Sequence, residues 1–150
     1  MSKWTGSWLG GPGSAGLHGG PLPPRGVRLG RPAEGTGSVA TMGRRAAAFA
    51  VDSLGSALVA GAFTAPALPR NWSLLVFCIE YVFFTAVFGQ TPGMRLLGLR
   101  VIRLDTAGPL GMWRAVVRTG LLVLLVPALI TDRDGRGLHD KTTGAAVVNA

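Results

Sequence analysis

A single carboxylate inside a long apolar run is the feature that most limits what this chain can form. Residues 46–65 are almost wholly apolar or small, and Asp52 lies about a third of the way along them. Placing a carboxylate in hydrocarbon is energetically unfavourable. Asp52 must therefore pair with another polar or charged group, face water or stay outside a bilayer. The run has the roughly 20 residues that a helix needs to cross a hydrocarbon layer about 30 Å thick. The sequence therefore predicts a membrane helix with one costly residue.

Small residues also recur along this first apolar segment. Because lipid tails already satisfy apolar side chains, membrane helices associate where small residues let their backbones approach closely. We therefore expect a second helix to pack on the face formed by Ser53, Ala57, Gly61 and Ala65.

Two further apolar segments follow, at residues 72–88 and 112–130. Glu80 lies near the middle of the second segment. Arg114 and Arg118 lie in the first third of the third segment, and the apolar run after them would make a helix only about 18 Å long. The third segment therefore either spans the membrane while tilted or enters and leaves at the same face.

The stretch between the second and third segments carries Arg95, Arg100 and Arg103 among aliphatic residues, followed by a turn-forming sequence at residues 105–109. Two short strands joined at that turn would make a hairpin. An amphipathic interfacial helix is the alternative. Either form would place cations against anionic lipid.

Residues 1–42 are rich in glycine and proline and poor in branched aliphatic residues, so we expect a disordered tail. Residues 43–149 would form the membrane domain. The predicted fold class is an all-α integral membrane protein with two or three transmembrane helices, a short cytoplasmic hairpin between the second and third segments, and this tail.

The distribution of basic residues predicts the orientation. Of the fifteen Lys and Arg residues, six precede the first segment, one follows it, five lie between the second segment and the third apolar run, and three come after. Since cytoplasmic loops carry the excess of basic residues, we expect a cell-membrane protein with a cytoplasmic N-terminus. A re-entrant third segment gives the cleaner division, with fourteen basic residues inside and one outside.

Several other functions find little support. The net charge of +8 comes from arginines that flank apolar runs, whereas a nucleic-acid-binding protein gathers them in one stripe on a polar fold. The chain has one cysteine and two histidines, so we expect no metal site, and no cofactor motif occurs. The serines near Asp52 have no histidine close in sequence, so we expect no enzyme.

Three motifs in order give the chain a resemblance to a known family. Arg45 is followed seven residues later by Asp52, the sequence GQTPGMRLLGLRV begins at residue 89, and GLHDK begins at residue 137. Over about residues 42–149 the chain resembles the RDD family of small multi-pass membrane proteins. The resemblance implies that the signature Arg and two Asp residues are Arg45, Asp52 and Asp140, with Arg44 as the alternative Arg. Transport has been suggested for some members of this poorly characterised family.

Arg45 and Asp52 would share one helix face but lie about 10 Å apart along the axis, too far for a close ion pair. Asp52 therefore needs a partner from elsewhere, and we expect Glu80, Arg118 or Asp140. A carboxylate partner would share a proton with it, whereas Arg118 would neutralise it. The prediction is a polar cluster of Arg45, Asp52 and Asp140 near the cytoplasmic face, with contributions from Arg44, Glu80, Arg118 and His139.

Ion or small-solute passage through this cluster is the first functional expectation. Three helices scarcely enclose a pathway, so we expect a homo-oligomer or a partner membrane protein in addition to the lipid bilayer. The alternative is a membrane-anchored accessory or scaffold protein that binds anionic lipid and a protein partner.

Overall fold

The computed structural model describes residues 23–106, 108–124, 131–132 and 134–150. The end of the third apolar segment, residues 125–130, and the first half of the predicted tail, residues 1–22, lie outside the described residues. The elements in chain order are α1 (Met42–Thr64), α2 (Asn71–Val87), α3 (Pro92–Leu96), β1 (Leu99–Arg103), α4 (Met112–Val123), α5 (Leu138–Thr142) and β2 (Ala145–Asn149).

The first two helices coincide closely with the first two apolar segments. Helix α1 ends at Thr64 because Ala65 precedes Pro66, and a residue before proline is disfavoured in the helical region. Its 23 residues make it about 35 Å long, and within the described part of the chain it alone is long and apolar enough to span a membrane. Helix α2 has 17 residues and is about 25 Å long.

Helix α2 packs against α1 and also against α4. The face that α1 buries is the stripe Ala48, Asp52, Ser56 and Ala60. This stripe is one residue removed from the predicted small-residue face, so that prediction is wrong. Compared with the predicted orientation, α1 is rotated about its axis. The reason is that Asp52 and Ser56 need polar partners, and burying the stripe that contains them provides those partners.

The opposite faces of α1 and α2 are covered with large exposed apolar side chains. Phe63 is 85% exposed, which would be unfavourable in water and is ordinary for a side chain facing lipid. Such an apolar outer surface around a polar inner stripe is typical of membrane helices. The same surface includes Leu54, Leu58, Ile79 and Phe83.

The predicted hairpin between the second and third segments is wrong, and the described chain is mostly helical with one two-stranded sheet rather than all-α. Strand β1 pairs with β2 from the C-terminus, antiparallel, from Leu99 opposite Asn149 to Arg103 opposite Ala145. After β1, the Arg103 guanidinium binds both carboxylate oxygens of Asp105, at 2.9 and 2.5 Å, and holds the Asp105 pKa at about 2. The chain turns there and continues to α4. The aliphatic run of β2 is buried, and it supplies the partner strand that β1 needs.

The predicted disorder does not extend to the end of the tail. Val39 bridges to Val148, and the Ala40 amide donates to the Val147 carbonyl at 2.9 Å, so residues next to α1 cover the second edge of β2. Both Val39 and Ala40 are buried. The glycine and proline content of the tail carries no information about this edge contact, because it depends on a strand more than 100 residues later.

Candidate functional site

Asp140 lies between two arginines that come from different helices. Arg118 of α4 donates from Nε to Asp140 Oδ1 at 2.8 Å, and Arg45 of α1 donates from Nη2 to Oδ2. The Asp140 side chain is fully buried, and the two arginine side chains are 10% exposed or less. A buried carboxylate held by two guanidiniums has both of its oxygens satisfied.

The two arginines extend this network to the remaining helices. Arg118 donates from Nη1 to the Tyr81 hydroxyl of α2 at 3.0 Å and lies over the Tyr81 ring, 5.5 Å from its centroid. Arg45 donates to the Gly135 carbonyl at 2.9 Å, and its Nη2 lies 3.3 Å from His139 Nε2. Helices α1, α2, α4 and α5 therefore meet at one charged cluster.

The charge state of Asp140 follows from these neighbours. Burial alone would raise the pKa of Asp140, but the charges of Arg118, Arg45 and His139 outweigh it and hold the pKa below the ordinary value of 3.8. Asp140 is therefore ionised at neutral pH and acts as an acceptor only.

Asp52 has a separate environment, in which both partners are neutral. Its Oδ2 accepts from the Thr91 hydroxyl at 2.5 Å, and its Oδ1 accepts from the Gly93 amide at 2.7 Å. Thr91 also caps α3 by accepting from the Met94 amide at 3.2 Å, with Pro92 at the first helical position. The Thr-Pro-Gly sequence thus places a hydroxyl and a backbone amide against the buried carboxylate of α1.

Ser56, one turn after Asp52 on the buried stripe, contacts a second carboxylate, that of the half-buried Glu80. Ser56 Oγ is 2.8 Å from Glu80 Oε2 on α2 and 2.9 Å from the carbonyl oxygen of Asp52. Ser56 is fully buried. The result is a polar file of Thr91, Asp52, Ser56 and Glu80 between the two longest helices.

The sequence model of the RDD family matches residues 39–144, about 70% of the chain. The chain belongs to the RDD family. The predicted resemblance is therefore confirmed, and the matched range contains Arg45, Asp52 and Asp140. Comparisons with curated proteins and with solved structures found no match. Family membership and the apolar α1 together support a membrane protein.

The RDD signature residues do not form the single cluster that the sequence predicted. Arg45 joins Asp140, together with Arg118 and His139, whereas Asp52 binds Thr91 and Gly93. An ionisable side chain was expected as the hydrogen-bond partner of Asp52, and that expectation is wrong. Glu80 is nevertheless close, because Ser56 contacts both the Asp52 carbonyl and the Glu80 carboxylate. The signature therefore divides into an ion-pair site around Asp140 and a polar file in which Asp52 accepts from uncharged groups.

Arg44 does not substitute for Arg45 in this RDD protein. It donates to Asn149 Oδ1 at 2.6 Å and to the Leu97 carbonyl, on the exposed side of α1. These contacts fasten the end of β2 to the start of α1.

Sequence reasoning missed Thr91, Gly93 and Tyr81. The Thr91-Pro92 pair is a recognisable helix start and could have been used to predict a polar group at that position. Tyr81, the one tyrosine of the chain, had no comparable signal, since it lies within a run of apolar residues.

Proposed function

We propose that this RDD protein carries protons or small monovalent cations across a membrane, in a non-enzymatic role, with Asp52 as the binding group. The supporting observation is the polar file in which Ser56 links the Asp52 backbone to Glu80, so that the buried carboxylate of α1 and the half-buried carboxylate of α2 lie near each other between apolar helices. An ionisable residue inside a membrane helix is by default a candidate for such a role.

The contrast between the two carboxylates supports Asp52 over Asp140. Asp140 is held by two guanidiniums, and exchanging a proton there would break a buried ion pair at a cost of about 3–5 kcal/mol. Asp52 is held by a hydroxyl and an amide. Its carboxylate can take up a proton or a cation without separating charges, which is what a carrier group requires.

The described part of a single chain offers too few long helices to enclose a pathway. The polar file lies between α1 and α2, while their outer faces are apolar. We infer that copies of the chain associate as a homo-oligomer, so that the file of each copy is shielded from lipid.

We propose a multi-pass topology, and the pairing of β1 with β2 supports one form of it. One strand precedes the third apolar segment and the other follows it, yet the two are hydrogen-bonded neighbours in one sheet. A sheet of this kind does not straddle a bilayer, so the third segment would enter and leave at one face. Together with the basic-residue distribution, this favours both termini on the cytoplasmic side of the cell membrane.

Flux through proteoliposomes tests the carrier role. Purified full-length protein is reconstituted with a pH-sensitive dye inside, and a proton or sodium gradient is applied. We expect flux above that of empty liposomes, its loss in Asp52→Asn and its reduction in Glu80→Gln, because each change removes a carboxylate from the polar file. Full flux in both variants would contradict the proposal.

The matched control is Asp105→Asn. Asp105 is exposed in the turn after β1, so the same chemical change there should leave flux at the wild-type level. Far-UV circular dichroism and gel filtration of each variant show whether it still folds and inserts.

A second role, as a membrane-anchored accessory protein, is favoured by a different observation. Arg95, Arg100 and Lys141 are exposed basic residues on α3, β1 and α5, the elements that accompany the sheet. They are suited to anionic lipid or an acidic partner. Absence of flux, together with partners in a pull-down that are lost when residues 1–22 are removed, would favour this role over transport.

A further inference from the structure

A cavity of about 150 Å³ lies beside the Asp140 ion pairs, apart from the Asp52 file. Its wall is largely apolar, and two charged side chains, Arg45 of α1 and Arg118 of α4, also line it. The apolar wall includes Ala46, Phe49, Leu122 and Val147. The cavity thus combines an apolar wall with a positively charged end.

The cationic end carries more positive than negative charge. Two guanidiniums, those of Arg45 and Arg118, face the one carboxylate of Asp140. The two guanidiniums and the one carboxylate together leave an excess of one positive charge. A buried uncompensated charge is unfavourable, and an anion in the adjacent cavity would offset it.

The Arg118 guanidinium at this end is held in place by its partners. Arg118 is 1% exposed and donates from Nε to Asp140 and from Nη1 to Tyr81. A ligand carboxylate in the cavity would therefore meet a guanidinium that is already oriented.

We propose that this cavity binds a monoanionic amphiphile, specifically the carboxylate of a long-chain fatty acid. A carboxylate matches the guanidinium geometry and supplies the single negative charge that the cluster lacks. The first methylenes of the chain contact the apolar wall, and the remainder extends into the surrounding lipid. A dianionic phosphate would overcompensate the excess charge.

This inference does not depend on the proposed carrier role, because neither Asp52 nor Glu80 lines the cavity. Residues from α1 and α4 contact the same ligand, so binding should hold these two helices together.

Equilibrium binding of radiolabelled palmitate to the purified full-length protein in detergent, at a pH near 8, tests the proposal. We expect saturable binding of one palmitate per chain. Hexadecanol has the same chain without the charge and should compete at least about tenfold more weakly, which would correspond to about 1.4 kcal/mol of charge recognition. Hexadecyl phosphate should not compete better than palmitate.

The variant Ala46→Trp fills the cavity from the exposed side of α1 and leaves the ion-paired residues themselves unchanged. It should weaken palmitate binding at least about tenfold. Ala47→Trp is the matched control, since Ala47 is also exposed on α1 but does not line the cavity, and it should bind palmitate as the wild type does.

Three results would overturn the proposal. They are equal binding of palmitate and hexadecanol, tighter binding of hexadecyl phosphate than of palmitate, and unchanged palmitate binding in Ala46→Trp. The first two comparisons use the wild-type protein, so they remain decisive even if the tryptophan variant fails to fold.

Discussion

At the residue scale, the two buried aspartates of the RDD signature differ in what they bind and therefore in what they can do. Asp140 is ionised and forms ion pairs with two guanidinium groups, and it thereby links α5 to α1 and α4. Asp52 binds a threonine hydroxyl and a glycine amide. The environment of Asp52 depends on the close approach of α3 to α1, and that approach depends on Gly93.

Gly93→Ala tests this contact. A Cβ on residue 93 would lie 2.8 Å from Asp52 Oδ1 and closer still to the Ala48 carbonyl, with backbone on one side and a hydrogen-bonded carboxylate on the other. We expect the variant to lower the free energy of unfolding by about 1–3 kcal/mol, measured by thermal or denaturant unfolding in detergent.

Gly55→Ala is the control for Gly93→Ala. Nothing lies within 4 Å of a Cβ placed on Gly55, which is inside α1. This substitution should raise stability by about 0.5–1 kcal/mol, because alanine loses less backbone freedom in a helix. Equal stability of Gly93→Ala and the wild type would mean that α3 does not approach Asp52 this closely.

At the element scale, the five-residue helix α5 connects helices that are distant in the chain. It brings Asp140 to Arg45 of α1 and Arg118 of α4. Buried ion pairs therefore hold α5 against these helices, and the stability that they contribute should depend on pH.

The lowered pKa of Asp140 predicts the direction of that response. Because the folded pKa lies below 3.8, the unfolded chain binds a proton first, and the ion pairs contribute fully above that pH. Their contribution is lost as the pH falls through the folded pKa. The thermal midpoint of the wild type should therefore fall as the pH is lowered below about 4.

Two aspartate variants separate this effect from general acid unfolding. Asp140→Asn should already be less stable at about pH 6, by about 3–5 kcal/mol, and should show a flatter dependence below pH 4. Asp105→Asn should keep most of the wild-type drop, since exposed ion pairs contribute little. An equally steep acid drop in Asp140→Asn would contradict the assignment.

At the scale of the whole molecule, α1 and α2 form an apolar pair, and the sheet, α3 and α5 gather where α1 begins and α2 ends. Val39 next to α1 bridges to β2, and the Val101 amide of β1 donates to the Gly89 carbonyl after α2 at 2.6 Å. From this arrangement we propose a topology in which α1 and α2 cross the membrane and the other described elements lie on one side of it.

The sequence predicted the parts of this fold that depend on local pattern. The apolar runs at residues 46–65 and 72–88 were sufficient for α1 and α2, and the family motifs singled out Arg45 and Asp140, which the structure brings together. These features follow from composition and from short motifs.

The parts that sequence did not predict depend on contacts between distant residues. Asp52 meets Thr91 39 positions later, and β1 pairs with a strand that follows it by more than 40 residues. No local pattern indicates which of several polar groups a buried carboxylate will bind. The turn residues after Arg103 suggested a hairpin because the competing C-terminal strand is remote in sequence.

Cysteine labelling of intact cells with a membrane-impermeant maleimide gives the sharpest test of this topology. In a Cys78→Ala background, Leu68→Cys lies in the exposed connection between α1 and α2, and Ala150→Cys follows β2. We predict that Leu68→Cys is labelled from outside and that Ala150→Cys is labelled only after permeabilisation. Labelling of both positions from outside would place the sheet and the α1–α2 connection on the same side and contradict the account.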